Sequence, residues 1–393
     1  MPLGIYISVP FCRSKCSYCN FASEVFSQVR FQAYVDRVSA DIENAPQIAA
    51  EMGGKIERAV DTVYLGGGTP TVLEAAQLAR IFGAVRSQFD LSPDAEVTVE
   101  CAPGTISDAM LETLIRCGVN RVSLGVQSFV DQEAAAVGRL HKRETVIQDL
   151  ARLRAVGISN VNIDLIAGLP HQTAESWEFS LAETIASGAP HASIYMLEVD
   201  DDSRLGRELM AGGTRYHAHF VPDDDATADF YLAACERLQS AGIAQYEISN
   251  FARADCESRH NLKYWIRQPY FGFGVDAHSM LVADTGDGAV RFATADSLEQ
   301  YVNNACLLRT PVSRRAALEE CFFLGLRLTR GVNLQELARE FGEAIESARA
   351  TIAEFVASGL MEQREEVVWL TSRGRLLSNN VFERFLAADA VNW

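Results

Sequence analysis

Cys12, Cys16 and Cys19 stand in the pattern C-x3-C-x2-C, three thiols within eight residues of a 393-residue chain. Thiolates at that spacing hold a metal ion or an iron–sulfur cluster. Two fillings are open. A structural zinc is normally closed by four ligands, and Cys256 is a distant residue that could supply the last. A cubane 4Fe-4S cluster fits three thiolates without further assumption and leaves its fourth iron to another ligand. The open iron is then the functional position. Cys101, Cys117, Cys235, Cys256, Cys306 and Cys321 otherwise read as core or surface thiols. Nine cysteines, of which only three cluster, read as a metal site in a reducing compartment and not as a disulfide framework.

Other residues able to bind a polar ligand recur at one kind of place. "YLGGGTP" puts Gly67, Gly68 and Thr69 just after a β-rich run, where backbone without side chains can approach a ligand. Glu100 ends another such run, Gln127 another ("SLGVQSF") and Asp164 another ("NIDLIAGLP"). Each alone reads equally well as a satisfied structural residue. Together, at the carboxyl ends of parallel strands, two acids and an amide converge on one rim, placed to hydrogen-bond hydroxyls and an amino group.

The elements that must position them follow from periodicity. Six β-rich runs are predicted at Ile5–Pro10, Thr62–Leu65, Glu96–Cys101, Arg121–Val126, Asn160–Leu165 and Ser193–Val199. Between them, helical spacing covers Phe31–Asn44, Thr71–Gln88, Ser107–Cys117, Glu144–Val156 and Ala174–Ser187. A repeated strand–helix order implies a parallel sheet with right-handed crossovers, and six units fall short of a closed eight-stranded barrel. The fold class is therefore α/β, with a partial (β/α)6 TIM-like barrel over residues 1–200. Residues 201–310 read as a mixed α/β extension, and 311–393 as a helical C-terminal domain in winged-helix order. Ten basic against twelve acidic residues in that last part suit a packing module rather than DNA binding. The whole chain has 52 acidic and 35 basic residues, so no overall field attracts phosphate backbones and nucleic acid is not an expected partner. No apolar run approaches the roughly 18 residues of a membrane span, and the start lacks a signal-peptide pattern, so a cytoplasmic location is expected.

The motifs, taken in order, carry a resemblance. "IYISVPF" before the cysteines, then "GGGTP", "GVQSF", "GRLH" and "DLIAGLP", resembles the radical S-adenosylmethionine (SAM) enzymes, specifically the oxygen-independent coproporphyrinogen III oxidase-like family, over nearly the whole chain. The resemblance implies that Cys12, Cys16 and Cys19 bind a 4Fe-4S cluster whose unique iron is chelated by SAM. It further implies SAM-side roles for Tyr6, Gly67, Gly68, Thr69, Glu100, Gln127, Arg139 and Asp164, with Met196 and Leu197 as weaker candidates for adenine contact. Ser8 stands where the family commonly has histidine.

Within the family, two kinds of protein must be separated: the coproporphyrinogen III dehydrogenase, which carries out radical oxidative decarboxylation, and the HemW-type heme chaperone. The dehydrogenase usually has a further cysteine two residues beyond the third, where this chain has Phe21, and an N-terminal extension absent before the cluster loop here. Both differences favour the chaperone, with no expected dehydrogenase activity. "HNLKYW", residues 260–265, resembles a heme-associated motif of the HemW type and makes His260 the implied heme ligand, with His278 as a further candidate. The implied partners are heme, a heme-acceptor protein that is membrane-associated or not, and an electron donor for the cluster.

Overall fold

The computed structural model describes residues 1–286, 288–303 and 306–386. Six strands, β1 (Leu3–Val9), β2 (Ala59–Gly67), β3 (Asp90–Cys101), β4 (Arg121–Gln127), β5 (Asn160–Ala167) and β6 (His191–Met196), pair side by side in chain order, all parallel. The period-two alternation of their sequences explains the layering. Ile5, Ile7, Val63, Leu65, Val97, Val99, Val122, Leu124, Ile163, Leu165 and Ile194 belong to one buried core, packed against the crossover helices. Their neighbours Tyr64, Glu100, Ser123, Asn162, Asp164 and Ser193 face the concave side and line a cavity. The helices are Gln28–Glu43, Ala75–Gln88, Asp108–Arg116, Arg143–Ala155 and Ala174–Ala186. Ser107 and Thr173 cap two of them through their hydroxyls.

The sheet is larger than the six-strand reading. β7 (Asn250–Ala252) pairs antiparallel with β6, and β8 (Tyr270–Gly274) pairs parallel with the free edge of β1. Beyond β8, β9 (His278–Ala283), β10 (Ala289–Ala293) and β11 (Leu308–Val312) continue antiparallel. The two ends of this 13-stranded sheet do not pair, so the barrel stays partial. β8 escapes periodicity because its sequence, YFGFG, alternates glycine with phenylalanine. A Cβ on Gly272 would collide with the His278 carbonyl, so the tight β8–β9 turn forces the residue that weakens the strand signal.

The helix Arg259–Trp265 closes the amino-terminal end of the barrel. Its first backbone amides, those of Arg259 and His260, donate to the Glu96 carboxylate at 3.0 and 2.9 Å. Lys263, itself buried, reaches Asp61 at 2.7 Å and the Pro2 carbonyl at 3.0 Å. Under this floor sits the C-terminal domain, built from helices Arg314–Gly325, Leu334–Phe341 and Glu346–Ala357 and a three-stranded antiparallel sheet. The buried Glu320 clamps it to the barrel by pairing with Arg267 at 2.8 Å and Arg291 at 3.0 Å. Among the described residues no helix is long and apolar enough to cross a membrane.

Candidate functional site

The cysteine loop leaves β1 at its carboxyl end and is fixed by backbone bonds from three directions. Cys12 N donates to Glu24 O at 3.1 Å, and Ser17 N donates to Val137 O at 3.2 Å. The glycine turn after β2 is tied to the loop's first residues, Gly68 N to Val9 O at 2.8 Å and Thr69 N to Phe11 O at 2.7 Å. Contact is so close that a Cβ on Gly68 would lie 2.6 Å from Phe11 O and 2.8 Å from Val9 O. Gly68→Ala must therefore shift two pieces of backbone. We expect a loss of about 1–3 kcal/mol in denaturant unfolding, the usual range for overpacking, and a distorted cysteine loop.

Cys12, Cys16 and Cys19 all face one cavity of about 540 Å³. The Thr69 hydroxyl points at Cys12 Sγ, 3.8 Å away, and Arg139 Nη1 lies 3.5 Å from Cys16 Sγ. Burial pushes the Cys12 and Cys19 thiols up from their ordinary values. Iron would reverse that, since a metal holds cysteine as thiolate. Three separate thiols opening on one space suit a cluster in which each binds its own iron. Cys256 lies in the loop between β7 and the floor helix, at the other end of the barrel, and cannot be a fourth ligand to the loop.

Below the cysteines the rim groups converge as expected: Gly67, Gly68, Thr69, Glu100, Gln127, Arg139 and Asp164 all line the cavity, and so do Met196 and Leu197. Glu100 accepts from Tyr64 OH at 2.7 Å. Asp164 accepts from Ser123 Oγ at 2.9 Å and Asn162 Nδ2 at 2.7 Å. Burial, opposed by these bonds and the Gly67 amide, raises Glu100 to about 7, and burial also raises Asp164. Arg139 is anchored by the Gly125 carbonyl. These groups offer acceptors to hydroxyls or an amine, and a cation close to the sulfurs.

Two expected site residues lie elsewhere. Tyr6 does not line the cavity; its ring packs 6.1 Å from that of Tyr64 and 6.4 Å from that of His260. His260, 1% exposed, belongs to the floor helix. Its Nδ1 meets Thr62 Oγ1 at 2.9 Å and its Nε2 meets Tyr264 OH at 2.8 Å, so both ring nitrogens are used. Burial beside Lys263 and Arg121 lowers it to about 3, which keeps the ring neutral. The residue expected as a heme ligand in "HNLKYW" is thus a buried part of the floor in this structure, with both ring nitrogens bonded within the protein. The aromatics are spent the same way: Tyr264 packs edge-on against Tyr270 at 4.6 Å, and Arg327 covers Trp265 at 4.3 Å. His278 is exposed on β9, 3.8 Å from Asp276, away from the cavity.

The cavity wall also holds residues not singled out from sequence: Arg121, Ser123, Asn162, Ser193, Asn250 and Asn261. Counting back by two from Gln127 and Asp164 would have found Arg121, Ser123 and Asn162, because strand alternation keeps them on the concave face.

Comparison with known proteins agrees with this geometry. Residues 6–183 match the Radical SAM superfamily and residues 312–377 the HemN C-terminal domain. Heme chaperone HemW of Bacillus subtilis is 33% identical over 97% of this chain and 98% of its own length. Heme chaperone HemW of Escherichia coli is 30% identical over 98% of both chains. The structure of coproporphyrinogen III oxidase (HemN) from Escherichia coli, a radical SAM enzyme, matches with a TM-score of 0.82 and 26% identity, covering 98% of this chain and 90% of the other. The chain therefore belongs to the HemN-like, HemW-type group of the radical SAM superfamily.

Proposed function

We propose that this chain is a heme chaperone that carries a 4Fe-4S cluster and SAM, binds heme, and hands it to an acceptor protein. What carries the reading is the joint presence of three cysteines on one cavity, a polar rim beneath them, and full-length likeness to proteins named heme chaperones. Cys12, Cys16 and Cys19 would hold the cluster. Gly67, Gly68, Thr69, Glu100, Gln127, Arg139 and Asp164 would hold SAM, and an electron donor would reach the cluster from the open side. When bound, the cluster supplies electron transfer to SAM. The protein's part is to orient SAM through the rim acceptors and to keep Arg139 beside the sulfurs. A cytoplasmic site of action fits the cysteine chemistry, which needs a reducing compartment.

The dehydrogenase reading is set aside on Phe21. This ring, 66% exposed, and Leu140, 74% exposed, both border the cavity. Phe21 occupies the position where the dehydrogenase pattern has its additional cysteine. Anaerobic reconstitution followed by heme titration and coproporphyrinogen III turnover on one sample is the test. We expect stoichiometric heme binding and no vinyl product by mass spectrometry. Multiple-turnover decarboxylation would replace the chaperone with the enzyme.

The same titration decides the role of His260. With both nitrogens bonded at the floor, His260→Ala should leave the heme Soret band and affinity unchanged. It should instead lower stability by about 1–3 kcal/mol, through the cavity and the unpaired Thr62 and Tyr264 hydroxyls. A shifted Soret band in a normally folded variant would return the ligand role to His260.

A further inference from the structure

Arg121 is a buried cation with no hydrogen-bonded counter-ion among the described residues. It is 1% exposed, it lines the cavity, and its Nε and Nη2 have no hydrogen-bond partner among the described residues. The two residues beside it in the sheet register, Thr98 on β3 and Asn160 on β5, each carry a buried side-chain oxygen that is likewise unpartnered. Glu100 and Asp164 sense the guanidinium's charge, but take their hydrogen bonds from Tyr64, Ser123 and Asn162. A buried guanidinium with two of its three nitrogens unbonded is a costly arrangement for a fold to keep. Such a group is retained where a ligand completes it.

Two positions along β4 separate Arg121 from Ser123, and six separate it from Gln127 on the rim. It therefore stands below the rim groups assigned to SAM, towards the floor helix, whose Asn261 closes the same cavity. A planar guanidinium suits a carboxylate, which it can bind in two-pronged fashion. Asn162, Asn250 and Asn261 add amide donors on the same wall.

We propose that the lower half of the cavity is a carboxylate subsite in which Arg121 binds a propionate side chain of the tetrapyrrole. This rests on the heme-binding reading and deepens it. It puts a charged group inside the cavity that orients the macrocycle by its edge, whichever residue meets the iron.

Heme and heme dimethyl ester, whose propionates carry no charge, are the probes. Each is titrated by absorbance into the parent, Arg121→Gln and Arg121→Lys, alongside SAM titrations and thermal melts of the reconstituted protein. We expect the parent to bind heme at least tenfold more tightly than the diester. Arg121→Gln should bring heme down to the diester's affinity, with diester binding unchanged and the fold kept, and SAM affinity, read at pH 8 where Glu100 is ionised, should fall far less than heme affinity. Arg121→Lys should retain part of the preference. Equal heme affinity in Arg121→Gln and the parent would overturn the subsite. So would a variant that melts earlier and loses both porphyrins alike, which marks a structural arginine. A fall in SAM affinity alone would give the carboxylate to SAM and overturn the tetrapyrrole assignment. If the parent binds neither porphyrin, the chaperone reading fails first. Sodium propionate then decides the subsite: raising the melting temperature of the parent but not of Arg121→Gln supports it, and no shift sinks it.

Discussion

Alanine in place of Cys12, Cys16 or Cys19 is expected to leave the protein folded but without a stable 4Fe-4S cluster after anaerobic reconstitution. The three thiols all line the cavity, and in the proposed cluster each would hold one iron. With one removed, a second iron would be left without a protein ligand, which should make the cluster unstable. The backbone has little reason to collapse, because the loop is held by main-chain bonds at Cys12 and Ser17 and by the Gly68 and Thr69 amides, none of which uses a sulfur. Iron and sulfide content, with electron paramagnetic resonance of the reduced sample, reads the outcome, and circular dichroism checks the fold. Cys117→Ala and Cys256→Ala serve as controls: Cys117 is buried in the core away from the cavity and Cys256 lies at the far end, so both variants should keep the cluster. A triple-alanine protein that still holds a cluster would remove the assignment.

Strand alternation and turn position made the upper half of the barrel readable. Glu100, Gln127 and Asp164 could be placed on one rim because each ends a β-rich run and parallel strands end together. The floor was not readable in the same way. "HNLKYW" has a ligand type beside aromatic rings, and nothing in its spacing says that Glu96, far away in sequence, would bind the amides of Arg259 and His260 and pull the helix under the barrel. The same long-range dependence hid β8, whose pairing with β1 requires glycine where a strand signal would want a branched residue. From sequence Arg121 reads only as the start of a strand. That two of its nitrogens find no hydrogen-bond partner among the described residues depends on every side chain around it, and only the assembled structure contains that fact.

Asp164→Ala should weaken SAM binding by about 1.5–3 kcal/mol, tenfold or more, while leaving iron and sulfide content intact. Its carboxylate is pre-set by Ser123 and Asn162, so the substitution removes an oriented acceptor and frees two buried donors. Glu100 adds a pH dependence whose sign can be worked out. Its folded value is raised from 4.5 to about 7 by burial. Between those values the folded protein holds a proton that the unfolded chain has released, so stability falls as pH rises from 4.5 through 7. Glu100→Gln should accordingly make the SAM-free protein more stable above pH 7, by on the order of 3 kcal/mol at most. SAM bound at the rim as proposed would reverse the preference, because its sulfonium charge and ribose hydroxyls favour the carboxylate. SAM affinity should thus climb from pH 6 to pH 8 in the parent and stay flat in Glu100→Gln, measured by equilibrium dialysis at constant ionic strength. A parent whose SAM affinity does not change over that range would show that Glu100 faces the cavity without touching the ligand, leaving Asp164 as the principal acidic contact.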